Sequence, residues 1–209
     1  MKLVLASNNA NKLAELQSLF AGLPIELVAQ ATLGIAEAEE PHQTFVENAL
    51  AKARHAARES GLAAIADDSG LCVDALGGAP GVHSAVYAGE LALASAREQR
   101  RRTQDAANNA LLLARMQGRT DRRARFVSTL VALRHAADPE PLIAQGRWEA
   151  TLLEAPRGGG GFGYDPLVWI VALGASVAEL DTARKNTFGH RALAAAQMRA
   201  LMREAWSIG

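Results

Sequence analysis

The chain has few of the residues that anchor a fold by special means. Cys72 is its only cysteine, so no intramolecular disulfide can form and the fold does not depend on an oxidising compartment. Aromatic residues make up 5% of the sequence against 49% hydrophobic residues overall, so the core must be built mostly from Ala, Leu and Val. No stretch approaches the ~20 apolar residues that span a bilayer. The apolar start, Met1 to Ala6, gives way to Ser7-Asn8-Asn9 too soon for a signal-peptide core. The expectation is a soluble, cytoplasmic protein with no membrane partner. An excess of one charge is also missing. The formal net charge is zero, which speaks against a general electrostatic grip on nucleic acid. Lysine is scarce as well: it occurs only at positions 2, 12, 52 and 185, and Arg supplies every other basic residue. A chain that otherwise uses Arg can keep Lys where a compact point charge must meet phosphate.

The pattern along the chain predicts an α/β fold with a mixed sheet in a single domain, 1–209. Lys2 to Ala6 and Ile25 to Val28 read as strands flanking a helix over Asn9 to Phe20. Residues 29–42 read as loop. Thr44-Phe45-Val46-Glu47 has the form of a capping box, opening a helix that runs to about Ser60. Leu62 to Ala66 reads as a strand delivering Asp67-Asp68-Ser69-Gly70 into a turn. Leu93 to Met116 reads as helix, Phe126 to Leu133 and Leu142 to Leu152 as strands, Leu167 to Leu173 as a strand, and Gly189 to Trp206 as a closing helix.

Five segments are candidates for chemistry. Ser7-Asn8-Asn9-Ala10-Asn11-Lys12 lies between strand and helix, where free N–H groups and the helix dipole favour an anion; an ordinary polar N-cap is an equal alternative. Asp67 and Asp68 are adjacent carboxylates, and alternation along an extended chain would send one to the reaction site and the other to brace the loop. A structural turn is the simpler account of that quartet. Glu39-Glu40 offers oxygen ligands for Mg2+, or is a solvated acidic pair. Gly158, Gly160 and Gly163 formally match a dinucleotide fingerprint, but the run leads into Tyr164-Asp165-Pro166 and a strand rather than a helix. That loop could instead clamp a flat heterocycle, with Phe162 stacking and Asp165 accepting hydrogen bonds. Lys185 to Arg191 places cations at a helix start, against the dipole, which suits a phosphate or base site or else a solvated helix start.

In this order the segments resemble the inosine triphosphate pyrophosphatase family. The resemblance rests on Ser7 to Lys12, Thr44 to Ala49 with Lys52-Ala53, Ala66 to Leu71, Val73 to Gly81, Gly161 to Pro166, and His190-Arg191. It implies an elongated two-lobed fold with a central nucleotide-binding cleft, assembled as a homodimer. It further implies Mg2+-dependent hydrolysis of ITP, dITP and XTP to monophosphate and pyrophosphate. Asp68 would be the general base beside the metal, and Glu40, rather than Glu39, a metal ligand. Ser7, Asn8, Asn9, Ala10, Asn11, Lys12, Lys52 and Ser69 would meet the triphosphate. Phe162, with Gly163 and Tyr164 beside it, would hold the purine, and Asp165, Lys185, His190 and Arg191 would read the base edge. Two positions depart from the family pattern: Gly189 stands where Ser often precedes His-Arg, and Val86 where Arg is common. A pyrophosphatase for other modified nucleotides and a non-catalytic nucleotide-binding protein are the alternative readings.

Overall fold

Leu3, Val4 and Leu5 are wholly buried, and this short apolar run forms β1 (Lys2–Leu5). In the computed structural model, which describes residues 1–91 and 97–208, β1 pairs in parallel with β2 (Glu26–Ala29) and with β3 (Ala63–Val73). Among the described residues one seven-stranded sheet runs in the order β2-β1-β3-β4-β5-β6-β7, with β4 Arg123–Leu133, β5 Leu142–Leu152, β6 Val168–Ile170 and β7 Ala175–Ser176. The β5–β6 and β6–β7 pairs are antiparallel, so the sheet is mixed, as expected. The helices are α1 (Ala10–Leu19), α2 (Phe45–Ser60), α3 (Arg97–Arg115), α4 (Thr182–Phe188) and α5 (His190–Trp206). The expected helical start at residues 93–96 lies outside the described residues.

The chain divides into two compact units. The first comprises residues 1–68, 128–147 and 186–209, and the second residues 69–127 and 148–185. In the first unit the period-2 alternation of the strands sorts two cores. Leu3, Leu5, Ala63, Ile65, Leu130 and Ala132 pack with Leu16 and Phe20 of the α1 segment and Met198 and Met202 of α5. Their neighbours Val4, Ala6, Ala64, Ala66, Val131 and Leu133 pack instead with Ala49, Ala53, Ala56 and Ala57 of α2. The alanine face of α2 explains how so few aromatics suffice, because small side chains leave little space to fill. Thr44 caps α2 by accepting the Glu47 N–H, and Glu47 answers on the Thr44 hydroxyl rather than on its backbone N–H. Gly61 ends the helix in the left-handed conformation.

In the second unit Leu71 and Val73 of β3 pack with Leu112 and Met116 of the α3 segment and with Phe126, Trp148, Leu152, Tyr164 and Leu167. Three expectations need correction. β3 does not stop at Ala66 but runs straight through Asp67-Asp68-Ser69-Gly70 to Val73. Turn-forming residue types are overridden there because both carboxylates are buried against cations. The expected strand over Leu167 to Leu173 is only three residues of β6, flanked by 3-10 turns at Asp165–Leu167 and Val171–Leu173. Lys185 belongs to a separate short helix, α4, and not to the start of α5.

Gly146 of β5 is a close-approach point in the first unit. A Cβ there would sit 1.9 Å from the His190 carbonyl oxygen and 2.6 Å from the Ala194 nitrogen, both backbone atoms of α5. Neither can yield without moving the helix. Gly146→Ala is expected to destabilise the protein by about 3 kcal/mol, the upper end of ordinary overpacking, read as a lowered urea midpoint with unchanged slope.

Candidate functional site

The alternation that sorts the core also separates the two aspartates. Asp67 continues the 63, 65 series and Asp68 the 64, 66 series, so each faces the helices that pack on its own side of the sheet. Asp67 is 1% exposed. Its Oδ2 lies 2.9 Å from Lys12 Nζ of α1 and 3.1 Å from Arg191 Nε of α5, and its Oδ1 accepts the Ser128 hydroxyl at 2.6 Å. Arg191 also reaches Glu15 Oε2 at 2.9 Å through Nη1. Burial alone would raise the Asp67 carboxyl, but the charges of Lys12 and Arg191 and the Ser128 bond outweigh it and hold the group well below its ordinary value. Lys12 is lowered by burial, with the Asp67 charge only partly opposing.

Asp68 has a different environment. Its Oδ1 lies 2.9 Å from Lys52 Nζ of α2, and the same ammonium lies 2.9 Å from Glu40 Oε2. Asp68 Oδ2 is buried with no hydrogen-bond partner. Burial pushes the Asp68 carboxyl up to about 6; Lys52 and Lys12 oppose the shift and Glu40 reinforces it. Glu40 is lowered, because Lys52 outweighs the effect of burial, and Lys52 is raised by its two carboxylates against its own desolvation. Two residues after Glu40 the backbone is tied to α2 by Asn48, whose side chain accepts the His42 N–H at 3.0 Å and donates to the His42 carbonyl at 3.2 Å. Glu39 is exposed.

These groups fit a hard divalent cation. Two carboxylates share one ammonium, and one of them presents a buried oxygen with no hydrogen-bond partner among the described residues. Among the described residues no three His, Cys, Asp or Glu side chains converge on a point. A protein donor set of one or two carboxylates suits Mg2+, which keeps most of its water and phosphate ligands, and does not suit zinc.

The segment before α1 is less open to an anion than its sequence suggests. Asn9 is the N-cap, and its side chain accepts the N–H groups of Asn11 and Lys12. The Asn9 N–H donates to Ser7 Oγ at 3.1 Å. Three amides expected to be free for phosphate thus have protein partners, because the cap satisfies the same groups an anion would. Asn8 Oδ1 is buried without a partner, and Ala10 is exposed.

The second unit holds the other group of candidates. Lys185 Nζ lies 2.7 Å from Asp165 Oδ2 and 4.6 Å from the centre of the Phe162 ring. Asp165 Oδ2 also accepts the Phe162 N–H at 2.9 Å. Gly161, at φ +72°, leaves the space this carboxylate fills, since a Cβ would meet Asp165 Oδ2. The Tyr164 hydroxyl donates to the Ser84 carbonyl at 2.9 Å. Ser69 is half-buried on β3.

The structure thus brings Lys12, Asp67 and Arg191 together, and separately Glu40, Lys52 and Asp68, and in the second unit Phe162, Asp165 and Lys185. His190 is buried at the first turn of α5. The Arg191 side chain is 4% exposed, and its Nε and Nη1 donate to Asp67 and Glu15. Asp165 Oδ2 accepts from both Lys185 and the Phe162 N–H. Sequence reasoning missed Glu15, Asn48 and Ser128. Each is polar at a position where the helical or strand period demands burial, and that was the available signal.

The two aspartates give opposite pH dependences in the metal-free protein. Asp67 stabilises above its unfolded value and loses that contribution as pH falls through its depressed folded value. Asp68, raised in the folded state, contributes stability below its unfolded value that is lost as pH rises through about 6. Urea unfolding is expected to show the wild type losing stability relative to Asp68→Asn as pH rises from about 4 to about 7; parallel profiles would remove the shift from Asp68.

The chain has relatives among known proteins. The family model described as the Ham1 family matches residues 3–201. The dITP/XTP pyrophosphatase of Methylibium petroleiphilum is 71% identical over 206 residues, covering 99% of both chains. That of Leptothrix cholodnii is 66% identical over 212 residues, covering all of both. Among solved structures, a HAM1 protein from Coxiella burnetii is similar with a TM-score of 0.87 and 40% identity, over 98% of this chain and 99% of that one. The Staphylococcus aureus Ham1 protein follows with a TM-score of 0.83 and 31% identity, over 98% and 100%. With a family model spanning nearly its whole length and relatives this similar end to end, the chain belongs to the Ham1 family.

Proposed function

We propose that this chain is a Mg2+-dependent pyrophosphatase that hydrolyses deaminated purine nucleoside triphosphates, ITP, dITP and XTP, to the monophosphate and pyrophosphate. One observation carries the chemistry: Asp68 is a buried carboxyl held by Lys52 at 2.9 Å, and its other oxygen has no hydrogen-bond partner among the described residues. A carboxylate held in place by a lysine and keeping an open acceptor is suited to take a proton from water. The printed names of the relatives support the substrate class.

In this reading Asp68 removes a proton from a water that attacks the α phosphorus. The bond from that phosphorus to the bridging oxygen breaks, and pyrophosphate leaves with the electron pair. Lys52 holds the Asp68 carboxylate and Glu40 in register through its two 2.9 Å contacts. Lys12 and Lys52 offer positive charge to phosphate oxygens. Glu40 and Asp68 would hold the Mg2+, which supplies charge neutralisation on the phosphates. Asp67, ionised and tied to Lys12 and Arg191, keeps its face of β3 rigid.

Base selection is assigned to Phe162 as a stacking surface and to Lys185 as a donor toward a 6-oxo group, which adenine lacks. A site that hydrogen-bonds its ligand this way can discriminate by about 10⁴-fold, since the wrong base leaves a buried group unpaired. The proposal includes the homodimer and the cytoplasmic location that the resemblance implies, and sedimentation velocity checks the former.

Hydrolysis of ITP, XTP, GTP, ATP and dTTP with and without Mg2+, detecting pyrophosphate separately from phosphate, tests the reading. Pyrophosphate release confined to ITP and XTP and lost without metal is the expected result. Comparable turnover of GTP or dTTP would move the assignment to other modified nucleotides. Asp68→Asn is expected to lower kcat by about 10³-fold or more with nucleotide binding retained. Turnover of that variant within tenfold of wild type would remove Asp68 from the role.

A further inference from the structure

The loop 157–163 is unusually free by composition, with glycine at 158, 159, 160, 161 and 163. Each such residue has more backbone freedom to lose than any other type. A ring carried by this loop stacks reproducibly only if something outside the loop holds it. Asp165 holds the N–H of Phe162 from one side. The next peptide is held by α3. Asp105 Oδ2 accepts the Gly163 N–H at 2.9 Å, and Asn109 Nδ2 donates to the Gly163 carbonyl at 3.0 Å.

These two side chains are four residues apart, one above the other on the same helix face. They engage both polar groups of Gly163, which sits at φ +63°. The orientation of the Asn109 amide follows from its partner, because only its nitrogen can donate to a carbonyl. One turn earlier on the same face, the Arg101 guanidinium lies 5.3 Å from the centre of the Phe162 ring. Residues 101, 105 and 109 thus form a polar stripe that follows the loop. Asn108, beside it, donates to the carbonyls of Ser84 and Ala85 and accepts the Ala88 N–H, and the Tyr164 hydroxyl bonds the same Ser84 carbonyl. The residues on both sides of Gly163 are therefore tied, directly or through the 84–88 segment, to one helix.

We infer that Asp105 and Asn109 of α3 are positioning residues for base recognition, clamping the Gly163 peptide so that Phe162 is presented as a fixed stacking surface. The inference rests on the assignment of Phe162 to the purine. The clamp touches neither phosphate nor metal groups, so its loss should act on the nucleoside part of the substrate alone. A neutral Asn at 105 keeps an acceptor oxygen for the Gly163 N–H, whereas Ala keeps none.

The test compares KM for ITP with the inhibition constant of inorganic tripolyphosphate, which has no base. Asp105→Ala and Asn109→Ala are each expected to raise KM by about tenfold, with kcat changed by less than about threefold and tripolyphosphate inhibition unchanged. Asp105→Asn should recover most of the loss. Unchanged KM in both Ala variants, a parallel rise in KM and in the tripolyphosphate constant, or no recovery in Asp105→Asn would each overturn the clamp. Should Asp105→Ala fail to fold, Asn109→Ala carries the same readout alone. Phe162→Ala, run alongside, separates the two ideas. A raised KM there with unaltered clamp variants sinks only the clamp, and an unchanged KM there sinks the base-stacking assignment and the clamp together.

Discussion

Two carboxylates next to each other on a chain repel, and β3 resolves the conflict by its pleat. The strand sends Asp67 and Asp68 to opposite faces, where different helices supply the compensating cations: α1 and α5 on one side, α2 on the other. From that single constraint follow the burial of Lys12 and Arg191, the lysine bridge between Asp68 and Glu40, and the divergence of two chemically identical groups. Asp67 is saturated by partners and ionises easily. Asp68 keeps one oxygen unengaged and ionises reluctantly. Environments that push paired groups apart in this way are how one strand can hold both a structural anchor and the base proposed above.

The strands of the first unit were legible because their alternation is clean: Leu3 and Leu5 face one core and Val4 and Ala6 the other. The N-cap at Thr44 was legible because it depends on residues within a single turn. The turn expected at Asp67-Asp68-Ser69-Gly70 failed for the opposite reason. Local propensity favours a turn there, and what overrides it, Lys12, Lys52 and Arg191, is remote in sequence. The position of Arg191 at the start of the closing helix was visible, but the carboxylates that hold its guanidinium, Asp67 and Glu15, are 124 and 176 positions away and were not.

The glycine loop shows a further limit on legibility. Its freedom is obvious in the sequence, but the groups that remove that freedom sit on a helix more than fifty residues earlier. Asp105 and Asn109 look like two solvated side chains on a helix until the backbone of Gly163 is placed against them. A loop rich in glycine is thus not necessarily a loose one. Here glycine permits a backbone path that other residues could not take, as at Gly161, where a side chain would displace the Asp165 carboxylate.

The alanine face of α2 has a consequence beyond packing. Lys52 sits on the same face as Ala49, Ala53 and Ala56, so the thickness of that alanine layer sets how far the helix axis stands from β3. The layer works as a shim: added volume there would press the helix away from the strand and lengthen the reach from Lys52 to Asp68, which ties the steric tolerance of a core to the setting of a single carboxylate.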